Sequence, residues 1–185
     1  VLQEYGVNHS VVIFGSARTT SMENALLQKQ EIEHALSDRP DDSDLLAGLA
    51  KADAGLRHAG YYEQARKLAG LISDKSGCED CPQLHVITGG GPGVMEAANR
   101  GAQETGAETV GLNIVLPHEQ HPNPYITPEL CFQFHYFAIR KMHFLKRARA
   151  LVACPGGFGT LDELFDALTL IQTKKIINIK LSRIL

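Results

Sequence analysis

Residues 150–163 read ALVACPGGFGTLDE and hold the most informative pattern in the chain. The apolar run 150–154 predicts a buried strand, and the glycines after it predict a tight turn. A helix is predicted from about residue 160 to 173. Backbone N–H groups are unpaired where such a turn enters a helix, and the helix dipole adds positive charge there. Phosphate is the anion that this arrangement favours.

The same arrangement of strand, turn and helix occurs twice earlier in the chain. Residues 84–88 predict a strand that enters the glycine turn 89–93, and residues 11–14 predict a strand that ends at Gly15-Ser16. Further strands are predicted at 108–114, 130–134 and 176–181, with helices at 92–105 and 136–148. This alternation is typical of an α/β parallel sheet with helices on both faces, which binds ligands at the carboxyl ends of its strands.

A helical segment of about residues 20–75 is longer than one crossover between strands needs. Helices are predicted at 22–37, 43–58 and 61–73, and the sequence Arg39-Pro40-Asp41-Asp42 separates the first two. We interpret this segment as an N-terminal helical insertion beside the sheet. Because no linker or internal repeat divides the chain, residues 1–185 are expected to form a single domain.

Composition excludes some classes of function. The formal net charge is −3 and 44% of the residues are hydrophobic, so nothing favours binding to nucleic acid or to an anionic membrane. No apolar stretch approaches the roughly 20 residues that span a bilayer, and no segment resembles a signal peptide. The expected location is the cytoplasm.

The glycine turns have a structural alternative, since glycines also serve merely to make tight turns. No G-x-x-x-x-G-K-[ST] motif occurs, and no acidic residue follows the Gly15 turn at the spacing of a dinucleotide site. Two such turns at one sheet edge favour phosphate binding. Glu163 also has two interpretations: it caps its own helix in a Thr160-x-x-Glu163 capping box, or it faces the cleft.

Four cysteines are present, two of them as the pair Cys78-x-x-Cys81. Three interpretations of this pair remain open: ordinary thiols in a loop, half of a metal site, or a redox pair. Cys131 and Cys154 lie in apolar runs and are expected to be buried.

Residues 155–163, PGGFGTLDE, resemble the P-G-G-x-G-T-x-x-E signature of the LONELY GUY family. These proteins are cytokinin riboside 5′-monophosphate phosphoribohydrolases and their bacterial relatives. Arg140-Lys141 is similar to the family's second motif, residues 88–96 to its first glycine loop, and residues 14–18 to its opening turn. The resemblance covers about residues 10–175, and the insertion suits a longer bacterial subgroup whose members are often labelled possible lysine decarboxylases.

The resemblance implies a Rossmann-like sheet, and an enzyme that hydrolyses the N-glycosidic bond of an AMP-like nucleoside 5′-monophosphate to free base and ribose 5-phosphate. It implies a homodimer or higher homo-oligomer, and no metal or cofactor is expected. The alternative on the same fold is a non-catalytic carrier of a nucleotide or cofactor. A pyridoxal-dependent decarboxylase would need a Schiff-base lysine, and Lys141 is the lysine next to the expected site.

By resemblance, Arg140 and Glu163 form the catalytic pair. Glu163 would stabilise the oxocarbenium-like transition state and orient or deprotonate water. Arg140 would anchor phosphate or ribose oxygens, or hold the carboxylate in position. The residues expected to bind the phosphate are Gly156, Gly157, Gly159 and Thr160. Those expected to line the nucleotide cleft are Gly15, Ser16, Gly90, Gly91 and Lys141. The second motif departs from the family pattern M-H-x-R-K because Phe137-Ala138 replaces Met-His.

Overall fold

The computed structural model describes residues 2–78, 81–115, 121–176 and 179–183. Within these residues, six strands form one sheet in the order β4-β3-β2-β1-β5-β6, and every neighbouring pair is parallel. The strands are β1 (Ser10–Phe14), β2 (His85–Thr88), β3 (Thr109–Ile114), β4 (Cys131–Phe134), β5 (Ala148–Ala153) and β6 (Lys180–Arg183). The predicted α/β class is therefore confirmed, with β6 beginning four residues later than the sequence indicated.

The described residues form five α-helices. They are α1 (Met22–Asp38), α2 (Ser43–Asp74), α3 (Val94–Gln103), α4 (Phe137–Lys146) and α5 (Phe158–Gln172). Of these, α1 packs on α2 and not on the sheet. Alternate side chains of β1 point to opposite faces: Val12 and Phe14 join a core with α4 and α5, whereas Val11 and Ile13 join a core with α2 and α3. Burial on both faces explains why the strands are almost continuously apolar.

The prediction of two helices at 43–58 and 61–73 was wrong, because α2 runs unbroken through both. The helix begins after Asp42, whose carboxylate accepts hydrogen bonds from the backbone N–H groups of Asp44 and Leu45 at 3.0 and 3.1 Å. Gly60 costs a helix only about 1 kcal/mol. Packing outweighs that cost, since the neighbouring Ala59 and Tyr62 are buried.

The two halves of α2 have different neighbours. Its first half packs against α1, where Asp53 pairs with Lys29. Its second half packs against α3, where Arg66 lies against Gly101. The α3 contact is close because Gly101 has no side chain: a Cβ there would collide with the backbone of Arg66. The Tyr62 hydroxyl donates a 2.8 Å hydrogen bond to Glu96 on α3. The predicted insertion is thus a helical hairpin whose second half packs on the sheet and on α3.

The strand order reverses beside β1, which lies between β2 and β5. Parallel α/β sheets bind ligands at such a reversal, beyond the carboxyl ends of the strands. The turns after β1 and β5 meet there. No described helix is long and apolar enough to cross a membrane.

The cysteines fall into two groups. Cys78 and Cys81 are joined by a disulfide bond. Cys154 is buried as expected, and Cys131 is half-buried at the start of β4. Over the described residues, no three His, Cys, Asp or Glu side chains are grouped as metal ligands would be.

Candidate active site

A cavity of about 280 Å³ lies at the carboxyl ends of β1 and β5. The turn after β1, the helix α4 and the start of α5 form its walls. Its lining residues are Phe14, Gly15, Ser16, Ala17, Arg18, Gly89, Met95, Phe137, Arg140, Gly157, Gly159, Thr160, Asp162 and Glu163. We call it the catalytic cavity.

Ser16, in the turn after β1, is hydrogen-bonded to residues beside the glycine turns that follow β5 and β2. Its backbone N–H donates to the Pro155 carbonyl at 3.1 Å, and its carbonyl accepts from the Val94 N–H at 3.0 Å. The second contact requires Gly93, since a Cβ there would collide with the Ser16 carbonyl oxygen, and its φ of +76° favours glycine. These bonds hold both glycine turns in fixed positions around Ser16.

Arg140 and Glu163 form a buried ion pair that lines the catalytic cavity. Nη1 of Arg140 lies 3.5 Å from Oε1 of Glu163, and each side chain is only 11% exposed. Nε of Arg140 donates a 2.6 Å hydrogen bond to the Leu112 carbonyl, and its guanidinium lies 5.0 Å from the ring centroid of Phe144. Arg140 is therefore held from three sides in one orientation.

Gly89 makes room for Arg140. A Cβ at position 89 would lie 2.6 Å from Nη2 of Arg140 and 2.8 Å from the sulfur of Met95. Any side chain larger than hydrogen would therefore displace the guanidinium, and the first glycine turn contributes to the cavity by its lack of a side chain.

Burial sets the electrostatics of the pair. It raises the pKa of Glu163 above the ordinary value of 4.5, while the charges of Arg140 and Lys141 lower that pKa and those of Asp162 and Asp166 raise it. Burial lowers the pKa of Arg140, and Glu163 opposes this effect. The net upward shift at Glu163 suits a carboxyl that exchanges protons with a reacting group or water.

Helix α5 begins two residues earlier than predicted, with Gly157 as its N-cap. Thr160 consequently lies inside the first turn, and the described residues show no side-chain hydrogen bond at the cap. The capping-box interpretation of Glu163 was therefore wrong. Gly156 packs beneath Thr160, because a Cβ there would collide with the Thr160 hydroxyl and lie 3.1 Å from the Ser16 nitrogen.

Lys141 lies elsewhere than the sequence suggested. Its ammonium bridges Asp162 at 2.8 Å and Asp166 at 2.5 Å, and it is not among the described residues that line the catalytic cavity. Burial lowers the pKa of Lys141, but the two hydrogen bonds outweigh that effect and the net shift is upward. Lys141 joins α4 to α5 and stays charged.

Gly90 and Gly91 are buried beside the cavity rather than on its wall. The amide nitrogen of Asn123 donates to their carbonyls at 3.1 and 3.0 Å, and also to Oδ1 of Asn99 at 3.0 Å. The Thr88 hydroxyl donates to the same Asn99 oxygen at 2.6 Å. A buried and fully paired network of this kind rigidifies the turn.

The structure brings seven of the eleven predicted site residues to the catalytic cavity: Gly15, Ser16, Arg140, Gly157, Gly159, Thr160 and Glu163. Gly156 lines a neighbouring cavity instead. Sequence reasoning missed Arg18, Phe137 and Met95 as lining residues. Each lies within one of the motifs described above, so membership of the glycine turns and of the Arg140 motif was the available signal.

A broad apolar surface adjoins the site on α4 and α5. Its most exposed members are Phe158 at 90%, Tyr136 at 70%, Met142 at 67% and Phe165 at 61%. Exposed patches of this kind on a folded chain commonly mark a protein interface.

The sequence matches one protein family and one curated protein. Residues 95–180 match the family described as possible lysine decarboxylase. A probable cytokinin riboside 5′-monophosphate phosphoribohydrolase of Oryza sativa subsp. japonica is 32% identical over 91 residues, which are 48% of this chain and 36% of that protein. The chain thus matches about a third of that relative's length. Both matches confirm the resemblance to the LONELY GUY family.

Comparison with solved structures gives matches that span most of this chain. The X-ray structure of TM1055, a structural genomics target, is 17% identical with a TM-score of 0.54, covering 95% of this chain and 91% of that one. The molybdenum cofactor carrier protein of Chlamydomonas reinhardtii is 18% identical with a TM-score of 0.49, covering 94% and 88%. The first match supports the α/β fold, and the second is too distant to support an argument.

Proposed function

Since residues 95–180 match the possible lysine decarboxylase family of LONELY GUY type, we propose that this protein hydrolyses the N-glycosidic bond of a nucleoside 5′-monophosphate. The products are the free base and ribose 5-phosphate. The observation that carries the proposal is the buried ion pair of Arg140 and Glu163, which faces a cavity beside the N-terminus of α5.

The phosphate binds at the start of α5. Gly157 and Gly159 line the cavity there together with the Thr160 side chain. The first N–H groups of a helix have no intrahelical partner, and the helix dipole adds about half a positive charge. Arg18 lines the same cavity and supplies a further positive charge for the phosphate.

The ribose then lies against Glu163. As the bond from C1′ to the base nitrogen lengthens, positive charge develops on the ribose ring, and the carboxylate stabilises it. Water adds to C1′ and loses a proton to Glu163. The base leaves with the electron pair of the broken bond and takes a proton from solvent, and Glu163 then returns its proton to solvent. Arg140 holds the carboxylate in position at 3.5 Å.

The volume of the catalytic cavity suits part of a nucleotide and not the whole molecule. About 280 Å³ lies near the lower end of small-molecule sites. We infer that ribose 5-phosphate fills it and that the base extends to the mouth, where Phe137 is half exposed. Phe137 takes the position of the family's Met, so this residue contributes to the choice of base.

We propose further that the exposed apolar surface of α4 and α5 joins two copies of the chain. The surface lies next to the catalytic cavity, so pairing would exclude water from the site. Light scattering on the protein and on Phe158→Glu tests this: we expect a homodimer or larger assembly that the charge dissociates. A monomer at micromolar concentration in both samples would reject the proposal.

A pyridoxal-dependent decarboxylase does not fit these residues. Its cofactor needs a lysine free to form a Schiff base. Lys141 is bound by Asp162 and Asp166 instead, and both carboxylates favour its charged form, which is not nucleophilic. We therefore do not propose lysine decarboxylation, the reaction in the family's description, for this site.

The experiment that tests the proposed function is a chromatographic assay for released base. Purified protein and Glu163→Gln are incubated separately with AMP, GMP, CMP, UMP and IMP. Release that requires Glu163 supports hydrolysis and names the substrate. Nucleotide binding without release from any of the five would instead support the carrier alternative.

A further inference from the structure

A second and larger cavity, of about 730 Å³, lies on the other side of the turn after β5, against the middle of α2. Its lining residues are Ser16, Arg18, Thr19, Lys51, Ala54, Gly55, His58, Tyr61, Pro155, Gly156 and Gly157. We call it the α2 cavity. Ser16, Arg18 and Gly157 line both cavities, so the two are separated only by the β1 and β5 turns.

The charge of the α2 cavity is one-sided. Arg18, Lys51 and His58 line it, and none of its described lining residues is acidic. Among the described residues, no carboxylate forms an ion pair with Arg18 or Lys51. Lys29 on the neighbouring helix shows the contrast, because its ammonium is paired with Asp53 at 2.8 Å and Glu33 at 3.6 Å.

The remaining walls add hydrogen-bonding groups and a ring surface. The hydroxyls of Thr19 and Tyr61 line the cavity, and the rings of His58 and Tyr61 lie 6.2 Å apart between centroids. Gly156 and Gly157 bring backbone rather than side chains to the opposite wall. Two cationic side chains, Arg18 and Lys51, together with hydrogen-bonding groups around one cavity match a ligand that carries more than one negative charge.

We propose that the α2 cavity binds a second small molecule that carries a diphosphate group, separately from the nucleotide in the catalytic cavity. Lys51 neutralises its phosphates, Arg18 contributes from the wall that the two cavities share, and His58, Thr19 and Tyr61 donate further hydrogen bonds. The proposal does not depend on the hydrolysis of a glycosidic bond, since none of the α2 residues enters that chemistry.

Isothermal titration calorimetry with inorganic pyrophosphate tests this proposal at fixed ionic strength. The variants are Lys51→Ala and, as the matched control, Lys67→Ala. Both lysines are exposed on α2, but only Lys51 lines the α2 cavity. We expect saturable binding that Lys51→Ala weakens about tenfold, the cost of one charge-assisted hydrogen bond, and that Lys67→Ala leaves unchanged.

Three results would overturn the proposal: no saturable binding to the unmodified protein, no weakening by Lys51→Ala, or equal weakening by both variants. The assay contains no glycosidic bond, so its outcome is independent of base release. ADP distinguishes the source of the diphosphate. If ADP binds more tightly than pyrophosphate and Tyr61→Ala removes the difference, the ligand is a nucleotide. If the two bind equally, the ligand is an inorganic diphosphate. Both results support the binding of a diphosphate group in the α2 cavity.

Discussion

The Arg140 guanidinium lies 3.5 Å from the Glu163 carboxylate, and both side chains are 11% exposed. The two residues belong to different helices, α4 and α5, which β5 separates along the chain. Burying two charges costs several kcal/mol each and is tolerated only when they are paired. A pair kept in a cavity beside a glycine turn therefore indicates a function that outweighs its cost in stability.

The pair should show strong coupling in stability. Arg140→Met leaves Glu163 buried without its cation, and we expect a loss of roughly 3 kcal/mol in the free energy of unfolding. The double variant Arg140→Met/Glu163→Gln should lose less than the sum of the two single changes, because no unpaired charge remains. Urea denaturation of all four proteins measures the coupling, and purely additive losses would show that the two groups do not interact.

The pH dependence of turnover follows from the raised pKa of Glu163. A carboxylate that accepts a proton must be ionised, so kcat should rise with pH, with a midpoint above the ordinary 4.5. Asp166→Asn removes a charge that raises this pKa, and it leaves Lys141, whose charge lowers the same pKa, paired with Asp162 alone. We expect the variant's midpoint at lower pH, whereas the exposed control Asp38→Asn keeps the original midpoint.

The free energy of unfolding should also depend on pH through Glu163. Glu163 holds its proton more tightly in the folded chain than in the unfolded chain, where its pKa is ordinary. Its contribution to stability is therefore full below that ordinary pKa and is lost as pH rises through the folded pKa.

An unchanged kcat profile in Asp166→Asn would contradict the assignment of Glu163 as the proton acceptor.

Gly89→Ala tests whether the first glycine turn positions Arg140. The new methyl group would lie 2.6 Å from Nη2 of Arg140, so the guanidinium must move. Small displacements of a catalytic group are costly, and we expect kcat to fall at least tenfold, on the order of the effects known for misplaced groups. The measurement is initial-rate kinetics of base release.

Gly60→Ala is the control for that substitution. Nothing lies within 4 Å of a Cβ at position 60, and Gly60 is inside α2. We expect normal kcat and a gain of about 0.5–1 kcal/mol in the free energy of unfolding, as for glycine to alanine within a helix. Equal kinetics for the two variants would remove Gly89 from the account of the site.

The sequence predicted what local patterns control. Apolar runs predicted the six strands, and the glycines after three of them predicted turns at one edge of the sheet. The unbroken α2 was missed because its continuity depends on packing of Ala59 and Tyr62, which local propensity does not contain.

The parts of the site that escaped prediction depend on distant contacts. Asn123 is hydrogen-bonded to the carbonyls of Gly90 and Gly91, although it lies more than 30 residues away in the chain. Lys141 is drawn from the cavity by Asp162 and Asp166 one helix later. Such distances become short only once the sheet order is known.

Comparison of Glu163→Gln with the unmodified protein in the base-release assay tests the central claim most directly. The exposed α1 variant Glu31→Gln is the matched control, and thermal melting confirms that all three proteins are folded. The account predicts that Glu163→Gln lowers kcat by about 10²–10⁴ and still binds the nucleotide, while Glu31→Gln is unaffected. Near-normal release by Glu163→Gln would contradict it.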